Sequence, residues 1–169
     1  MLPIRHGPLI LRRFRPADAA AFHAIRSDPE VGRFQDWDKP DYDGALAFVS
    51  AMETAPSFPP GGWWQIAIAW PRDDQLAGDM GLHLSEDGSE LELGITLARE
   101  AQGQGLAPRA IQAAAEMVFA ETSARRIVMI TDARNRAMLA VLDRLGLSQV
   151  DVLHDQGFPE PVFQLPRPA

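Results

Sequence analysis

The sequence predicts a mixed α/β fold (an α+β mixed sheet) with about seven strands and with helices on both faces, in a single domain spanning residues 1–169. Three observations predict it. Strand and helix patterns follow the order β-α-α-β-β-β-α-β-α-β-β, which joins a meander to a strand–helix–strand–helix unit. Hydrophobic residues make up 46% of the chain, enough for one substantial core. No internal repeat or low-complexity segment divides the sequence.

The first half of the chain alternates short apolar runs with helix signals. Residues 9–14 are predicted to form a strand, and Pro16 opens a helix over residues 17–26, since proline suits the first helical turn. A second helix is predicted over residues 42–52. The proline- and glycine-rich residues 56–62 form a loop, which is either a mobile lid or a long connection.

The second half holds the meander and the crossover unit. An alanine-rich helix over residues 108–121 carries one apolar stripe, and Gly146 ends a further helix over residues 134–145. Bulky and β-branched runs bounded by glycine and proline predict the strands. These strands cover residues 63–70, 76–84, 91–97, 126–131, 149–153 and 162–165.

Composition and charge exclude several classes of function. The chain has no cysteine, which rules out disulfides, thiolate metal sites and a cysteine nucleophile. Its net charge of −7 argues against a nucleic-acid partner and suits a cationic acceptor. The first residues do not resemble a signal peptide, and no apolar run reaches the roughly 18 residues of a membrane span. We therefore expect a soluble, cytoplasmic protein with no membrane partner. The four histidines are scattered, so no metal site is predicted.

An Asp-Gly pair between two predicted strands sets the register of a hairpin. Asp87-Gly88 favours a type I′ turn, which needs positive φ at both central positions. In that register His83 stands directly opposite Glu92, with both side chains on one face and the Cβ atoms ~5 Å apart. The two residues are either an ordinary polar pair on a solvated face or a general base built from a carboxylate or an imidazole.

A glycine-rich loop joins a predicted strand to the alanine-rich helix. Glycines let successive backbone N–H groups turn into one concavity, and the helix start adds its positive dipole end, so the loop suits a pyrophosphate. The alternative is a connection that binds nothing. A nucleotide site is a weaker alternative, since neither G-x-x-x-x-G-K-[ST] nor G-x-G-x-x-G is present. The segment comprises Gln102, Gly103, Gln104, Gly105, Leu106, Ala107 and Pro108, followed by Arg109, which is placed to meet phosphate charge.

Three segments resemble the GNAT superfamily of N-acetyltransferases. Residues 102–107, Gln-x-x-Gly-x-Ala, are similar to its acyl-CoA loop, Q/R-x-x-G-x-G/A, and stand at the same place in the order of elements. Residues 135–138 and 142–147 resemble its N-x-x-S/A and L-x-x-x-G-F segments. Residues 9–14 and 27–31 resemble the opening of the RimJ/RimL branch, the ribosomal-protein N-terminal acetyltransferases. The resemblance covers nearly the whole chain.

The resemblance implies a single acyl-CoA N-acyltransferase domain and a mechanism. It implies a GNAT-like sheet splayed between its fourth and fifth predicted strands, with the pantetheine of acetyl-CoA (coenzyme A) in the gap. An amine then attacks the thioester directly in a ternary complex. Glu92 matches the family carboxylate and is the first candidate for the base, and His83 is the second or orients Glu92. Backbone N–H groups near Gly94 and Ile95 are expected to polarise the thioester oxygen. The implied contacts of acetyl-CoA are Gly94, Ile95, Leu97, Gln102, Gly103, Gln104, Gly105, Leu106, Ala107, Arg109 and Asn135.

Two positions depart from the family pattern. The residue that protonates the leaving thiolate is often a Tyr, at the position of Leu142, or a Ser, at the position of Met138, and neither is present. Asn135 is either a cofactor contact or a polar residue that favours a helix start. Because Leu142 and Met138 cannot protonate the leaving thiolate, the alternative function is a non-catalytic acyl-CoA-binding module or sensor.

The sequence predicts the acceptor side less closely. In the family the first two helices and the following loop line this side, and Trp37, between Asp36 and Asp38, is the candidate to receive a cationic amine. The acceptor is expected to be a small-molecule or peptide amine, with a protein N-terminus as the branch-level expectation. A homodimer is expected at the family level only. The other aromatic residues of this region are assigned mainly to the core: Phe34, Tyr42, Trp63 and Trp64.

Overall fold

The structure is a computed structural model that describes residues 1–35, 37–154 and 157–168. Within these ranges the chain forms eight strands and four α-helices, with short 3₁₀ turns between some of them. The strands are β1 (Ile4–His6), β2 (Leu9–Arg12), β3 (Gly62–Ala69), β4 (Leu76–Leu84), β5 (Glu90–Leu97), β6 (Arg126–Ile130), β7 (Ser148–Leu153) and β8 (Glu160–Pro166). The helices are α1 (Ala19–Ser27), α2 (Tyr42–Thr54), α3 (Leu106–Glu121) and α4 (Arg136–Arg144).

The described strands form one mixed sheet in the order β1-β2-β3-β4-β5-β6-β8-β7. Neighbouring strands are antiparallel except β5 and β6, which run parallel because the chain crosses between them through α3. The predicted fold class is confirmed, but the described strands number eight rather than about seven. The additional strand is β1, whose three residues pair with β2 across a turn at Gly7. A three-residue edge strand is too short to show a period-2 pattern in the sequence.

Alternation along the strands separates the two faces of the sheet. On β3, Trp64 is 1% exposed whereas its neighbour Trp63 is 50% exposed, because successive side chains point to opposite faces. Helices α1 and α2 contact each other and the strands β4 and β3, while α3 contacts β1, β2 and β5 from the other face. Arg26 of α1 donates to Asp79 of β4, which places α1 on the face that carries His83. The sheet therefore has helices on both faces, as predicted.

Side-chain and backbone contacts set where the helices begin. Helix α3 starts at Leu106, two residues earlier than predicted, because Gly105 takes a left-handed conformation (φ +71°) directly before it. Helix α4 starts after Asn135, whose Oδ1 accepts the N–H of Met138 at 3.1 Å. The Asp18 carboxylate accepts the N–H of Arg15 at 2.8 Å, which holds a short 3₁₀ turn before α1.

The β4–β5 hairpin has the predicted register but a different turn. His83 pairs with Glu92, as expected. The type I′ prediction is wrong, because Gly88 has a positive φ (+69°) and Asp87 does not. The Asp87 carboxylate accepts the N–H of Ser89 and two serine hydroxyls, and these bonds hold the alternative turn. The same hydrogen bonds, the backbone N–H of Ser89 first, lower the pKa of Asp87 to about 2.

The proline-rich loop before β3 is anchored to the sheet. Phe58 is buried and packs edge-on against Trp64, with the ring centroids 4.9 Å apart. Gly61 donates its N–H to the carbonyl of Leu84 at 2.8 Å. These contacts support the long connection rather than the mobile lid.

Candidate active site

The candidate site lies where β5 and β6 separate. The two parallel strands pair only over residues 90–92 of β5 and 126–128 of β6. Beyond Glu92 and Val128 they diverge, although β5 continues to Leu97 and β6 to Ile130. The predicted splay is therefore present, and Glu92 stands at its apex.

The ladder between β4 and β5 decides which backbone groups of β5 face this gap. Ser85 donates to the carbonyl of Glu90, and Ala98 donates to the carbonyl of Ala77. Hydrogen-bonded pairs alternate along an antiparallel ladder, so the N–H groups of residues 92, 94 and 96 also face β4. Those of Ile95 and Leu97 face the gap. Of the two residues expected near the thioester oxygen, Gly94 has its N–H turned toward β4, and only the N–H of Ile95 faces the gap.

The loop over residues 102–107 is shaped by two left-handed glycines. Gly103 and Gly105 both have φ +71°, and a Cβ built on either would meet nothing within 4 Å. Within the described part of the chain, the backbone N–H groups of Gly103, Gln104 and Gly105 donate no hydrogen bond. Helix α3 starts directly after them and adds the positive end of its dipole. The loop is an open cradle of donors suited to an anion.

The two glutamine side chains of this loop bond to backbone carbonyls of the residues just before it. Gln102 donates to the carbonyl of Leu97 at 3.1 Å, and Gln104 donates to the carbonyl of Glu100. Leu106 and Ala107 both line the cavity, and Leu106 also belongs to the buried core. The donors left free in this loop are therefore backbone N–H groups, while the contacts with a cofactor stay a prediction.

A cavity of about 700 Å³ connects the loop, the gap and α4. Three arginines line it, which the sequence analysis did not single out: Arg33, Arg99 and Arg144. Arg99 is paired with Asp28 at 2.6 Å. The predicted phosphate contact, Arg109, lies elsewhere: its guanidinium lies against Gly7 in the β1–β2 turn, at 3.2 Å from the position of a built Cβ.

Glu92 and His83 share the face of the sheet that α1 covers. Glu92 is half-buried, and burial raises its pKa above the ordinary value because the charged carboxylate loses solvation. His83, directly opposite, lowers that pKa by a smaller amount. The ring of His83 lies 5.1 Å from that of Trp63 on the next strand. A half-buried carboxylate with a raised pKa suits a general base better than a fully solvated one does.

Trp37, the predicted contact of the acceptor, is stacked against the protein's own cation. The Arg26 guanidinium lies 4.0 Å from the centroid of the Trp37 ring. One ring face is therefore occupied, and the role of Trp37 stays a prediction. Of its two flanking carboxylates, Asp36 lies outside the described residues and Asp38 is exposed.

A sequence model of the acetyltransferase (GNAT) domain matches residues 8–148. The chain belongs to the GNAT acetyltransferase family. The matched range includes both the diverging strands β5 and β6 and the glycine loop. The loop, Glu92 and Asn135 all lie inside the matched range.

Solved structures share the GNAT fold over nearly the whole chain at low sequence identity. An acetyltransferase of the GNAT family from Bacillus anthracis has a TM-score of 0.84 and 19% identity, covering 98% of both chains. RimL, a ribosomal alpha-N-protein acetyltransferase solved with coenzyme A, has a TM-score of 0.79 and 16% identity, covering 95% of this chain and 94% of RimL. Spermidine N-acetyltransferase from Vibrio cholerae, solved with coenzyme A and spermine, has a TM-score of 0.79 and 14% identity. The match covers 94% of this chain and 95% of that enzyme. These likenesses show the fold.

The residues of α4 and its cap that match family positions, Asn135, Met138 and Leu142, have different surroundings. Leu142 is 0% exposed and belongs to the core, and its side chain does not line the cavity. Met138 lines the cavity but carries no proton to donate. Asn135 lines the cavity as well, and its Oδ1 caps α4. The structural alternative for Asn135 is therefore observed, while its contact with a cofactor stays a prediction.

Two sets of residues escaped the sequence analysis for different reasons. The cavity arginines come from three separate segments, and nothing in the spacing of Arg33, Arg99 and Arg144 relates them. Trp63 was assigned to the core, although it faces away from the buried Trp64. Its position opposite His83 depends on the separate pairing of β3 with β4, which contains an irregularity between Ile68 and Ala69, so the register of the β4–β5 hairpin could not supply it.

The described residues contain neither a helix suited to spanning a membrane nor a cluster suited to a metal ion. No helix there is both long and apolar enough to cross a membrane. Residues 1–35, 37–154 and 157–168 also contain no group of three or more potential metal-ligating side chains.

Proposed function

We propose that the protein is an N-acetyltransferase that transfers the acetyl group of acetyl-CoA to a primary amine by direct attack. One observation carries the proposal: a single gap in the sheet has a cradle of free N–H groups at its open end and Glu92 at its apex. Anion binding and proton removal are thus aligned along one groove. Membership of the GNAT family supports the same activity.

The residues around the gap fit acetyl-CoA. The N–H groups of residues 103–105 and the start of α3 would hold the pyrophosphate, and Arg33 and Arg144 would meet further phosphate charge. The N–H groups of Ile95 and Leu97 would pair with the amides of the pantetheine arm. When bound, acetyl-CoA supplies a thioester whose carbonyl carbon is open to attack by an amine.

Glu92 would take the proton that an ammonium acceptor must lose before it reacts. Its raised pKa brings the carboxylate closer to the pH at which it works, which favours proton transfer. The amine nitrogen would form a bond to the acyl carbon, the carbon–sulfur bond would break, and the second proton of the nitrogen would pass to the departing coenzyme A thiolate. The Ile95 N–H would donate to the acyl oxygen as negative charge develops there. His83 would orient Glu92 from the opposite strand.

A second candidate function is an acyl-CoA-binding module without turnover. Leu142 is sealed in the core and Met138 cannot donate a proton, so the usual acid is missing on α4. A coenzyme A thiolate is an adequate leaving group, which is why we place transfer first. The two functions share one cofactor site and differ only in product.

Thiol release separates them, because the chain has no cysteine to react with a thiol reagent. The protein is incubated with acetyl-CoA and a panel of alkylamines, diamines, amino acids and short peptides with free N-termini. We expect amine-dependent release of coenzyme A and an acetyl mass increment on at least one amine. Binding of acetyl-CoA with no acetylated product across the panel would contradict transfer and leave the binding module.

A further inference from the structure

Nine residues on three neighbouring strands form a square array on the α1-facing side of the sheet. The registers place Trp63, Gln65 and Ala67 opposite His83, Gly81 and Asp79, and these opposite Glu92, Gly94 and Thr96. Cross-strand partners point the same way, so the seven side chains of the array, which include none from Gly81 and Gly94, share this face. Arg26 closes one edge through its 2.7 Å bond to Asp79, which leaves the edge with Trp63, His83 and Glu92 more open.

The two central glycines shape the open part of this array. A Cβ on Gly94 would meet nothing within 4 Å, so the surface beside Glu92 is hollow. A Cβ on Gly81 would lie 3.0 Å from the ring of Trp63, so that ring lies across Gly81. Half of Trp63 remains exposed. The indole is thus fixed as a platform beside the hollow instead of being packed into the core.

Apart from His83 and the amide N–H₂ of Gln65, the polar groups around the platform are acceptors or anions. Gln65 Oε1 is buried and receives no hydrogen bond within the described residues, so its partial negative charge is not compensated by a donor. Glu86 lies against Gly61, just before β3, and Glu92 lies beyond His83. The nearby cation Arg126 is paired with Glu90 at 2.5 Å. An unpaired acceptor, carboxylates and an indole face together favour a cationic ligand.

We propose that Trp63 determines specificity by binding a second ammonium group of the acceptor, so that the preferred acceptor is a diamine. This rests on the proposed function, since the first amine would lie at Glu92. The platform and Glu92 are two strand spacings apart, about 10 Å between backbones, with His83 between them. A short alkyl chain bridges that separation. The second ammonium lies on the exposed face of the Trp63 indole.

Binding is tested first, without turnover, in the coenzyme A complex. The four tryptophan indole N–H signals are followed by NMR while cadaverine, pentylamine or aminopentanol is added, and Trp63→Phe assigns the relevant signal. We expect cadaverine to shift the Trp63 signal and to bind about 2- to 30-fold more tightly than the other two, the range typical of a cation on an indole. Equal affinities, or an unmoved Trp63 signal, would overturn the proposal.

Turnover then tests specificity. The ratio of kcat/KM for cadaverine to that for pentylamine should fall by about 2- to 30-fold in Trp63→Leu and less in Trp63→Phe, which keeps an aromatic face. Trp70→Leu is the matched control: Trp70 follows the same strand, outside the array, and Arg72 already lies over its ring. A ratio that Trp63→Leu leaves unchanged would overturn the proposal, and so would a peptide N-terminus that outcompetes cadaverine.

The failure of this inference is distinguishable from failure of the proposed function. If cadaverine and pentylamine are acetylated equally well, the acetyltransferase stands and the platform role falls. If cadaverine shifts Trp63 but no amine is acetylated, the platform stands and the proposed transfer falls.

Discussion

The glycine loop and the nine-residue array are built from different parts of the chain, and this decides how far each can be predicted. The loop is one continuous segment, residues 102–107, and its donors are backbone N–H groups. The array takes side chains from three strands, and its geometry depends on two registers and two glycines. A site made of backbone leaves a local motif in the sequence, whereas a site made of side chains across strands leaves none. Variants in each region test whether one binds the cofactor and the other performs the chemistry.

Glu92→Gln should give the largest effect and should separate the two regions. Loss of a general base lowers the rate about 10²- to 10⁴-fold, whereas binding of acetyl-CoA through the loop should not change. Steady-state kinetics and calorimetric titration measure the two quantities. Glu90→Gln is the matched control, on the same strand and face but paired with Arg126. Equal losses in both variants would contradict Glu92 as the base.

The pH profile follows from the raised pKa of Glu92. Only the ionised carboxylate accepts a proton, so log kcat/KM should fall as pH drops through a pKa that lies above the ordinary value for glutamate. This fall of log kcat/KM at low pH should disappear in Glu92→Gln. A fall that persists in this variant would assign the titration to another group.

The second-largest effect concerns the scaffold of the array. Arg26→Ala leaves the buried Asp79 carboxylate unpaired, which typically costs about 3–5 kcal/mol of unfolding free energy. Burial raises the pKa of Asp79, so the loss should be largest at neutral pH and shrink as acid protonates the carboxylate. Denaturant unfolding at several pH values measures it. Arg72→Ala, in an exposed pair with Asp73, should change stability little. A similar loss in both variants would contradict the scaffold role.

The sequence predicted the parts of the site that depend on local chemistry. Asp87-Gly88 gave the correct pairing of His83 with Glu92 because the observed turn is still centred on this pair, with Ser85 bonded to Glu90, so the strand register is unchanged. It did not give the turn type, since the hydrogen bonds of Asp87 decided that. Arg109 was misplaced because spacing fixes where a residue sits on a helix but not which neighbour its long side chain meets.

Gly105→Ala tests the loop with a smaller effect. Alanine at φ +71° costs about 1–2 kcal/mol, and the rearranged loop should weaken coenzyme A binding by about tenfold. Gly146→Ala is the matched control, because Gly146 has φ +73° and equally open surroundings but lies at the end of α4. Both variants should lose similar stability. If Gly146→Ala weakened the binding of coenzyme A as much as Gly105→Ala, the loop would not be the anion site.

Asn135→Ala should give the smallest effect and settle its two proposed roles. Removing its bond to the Met138 N–H costs about 1 kcal/mol of stability. Asp41→Ala removes the equivalent cap of α2, the bond to the Gly44 N–H, and should cost about as much. If Asn135 also contacts the cofactor, its variant alone should raise the Kd for coenzyme A. Unchanged Kd values in both variants would leave Asn135 as a cap only.

Thermal unfolding with acetyl-CoA, coenzyme A, ATP and NAD in parallel tests the central claim most directly. A ligand at about 100 times its Kd adds about 2.7 kcal/mol of stability, which is readily seen as a raised Tm. The acetyltransferase assignment predicts that acetyl-CoA and coenzyme A raise the Tm and that ATP and NAD do not. No shift with either coenzyme A species at millimolar concentration would contradict it and would make the glycine loop a simple connection.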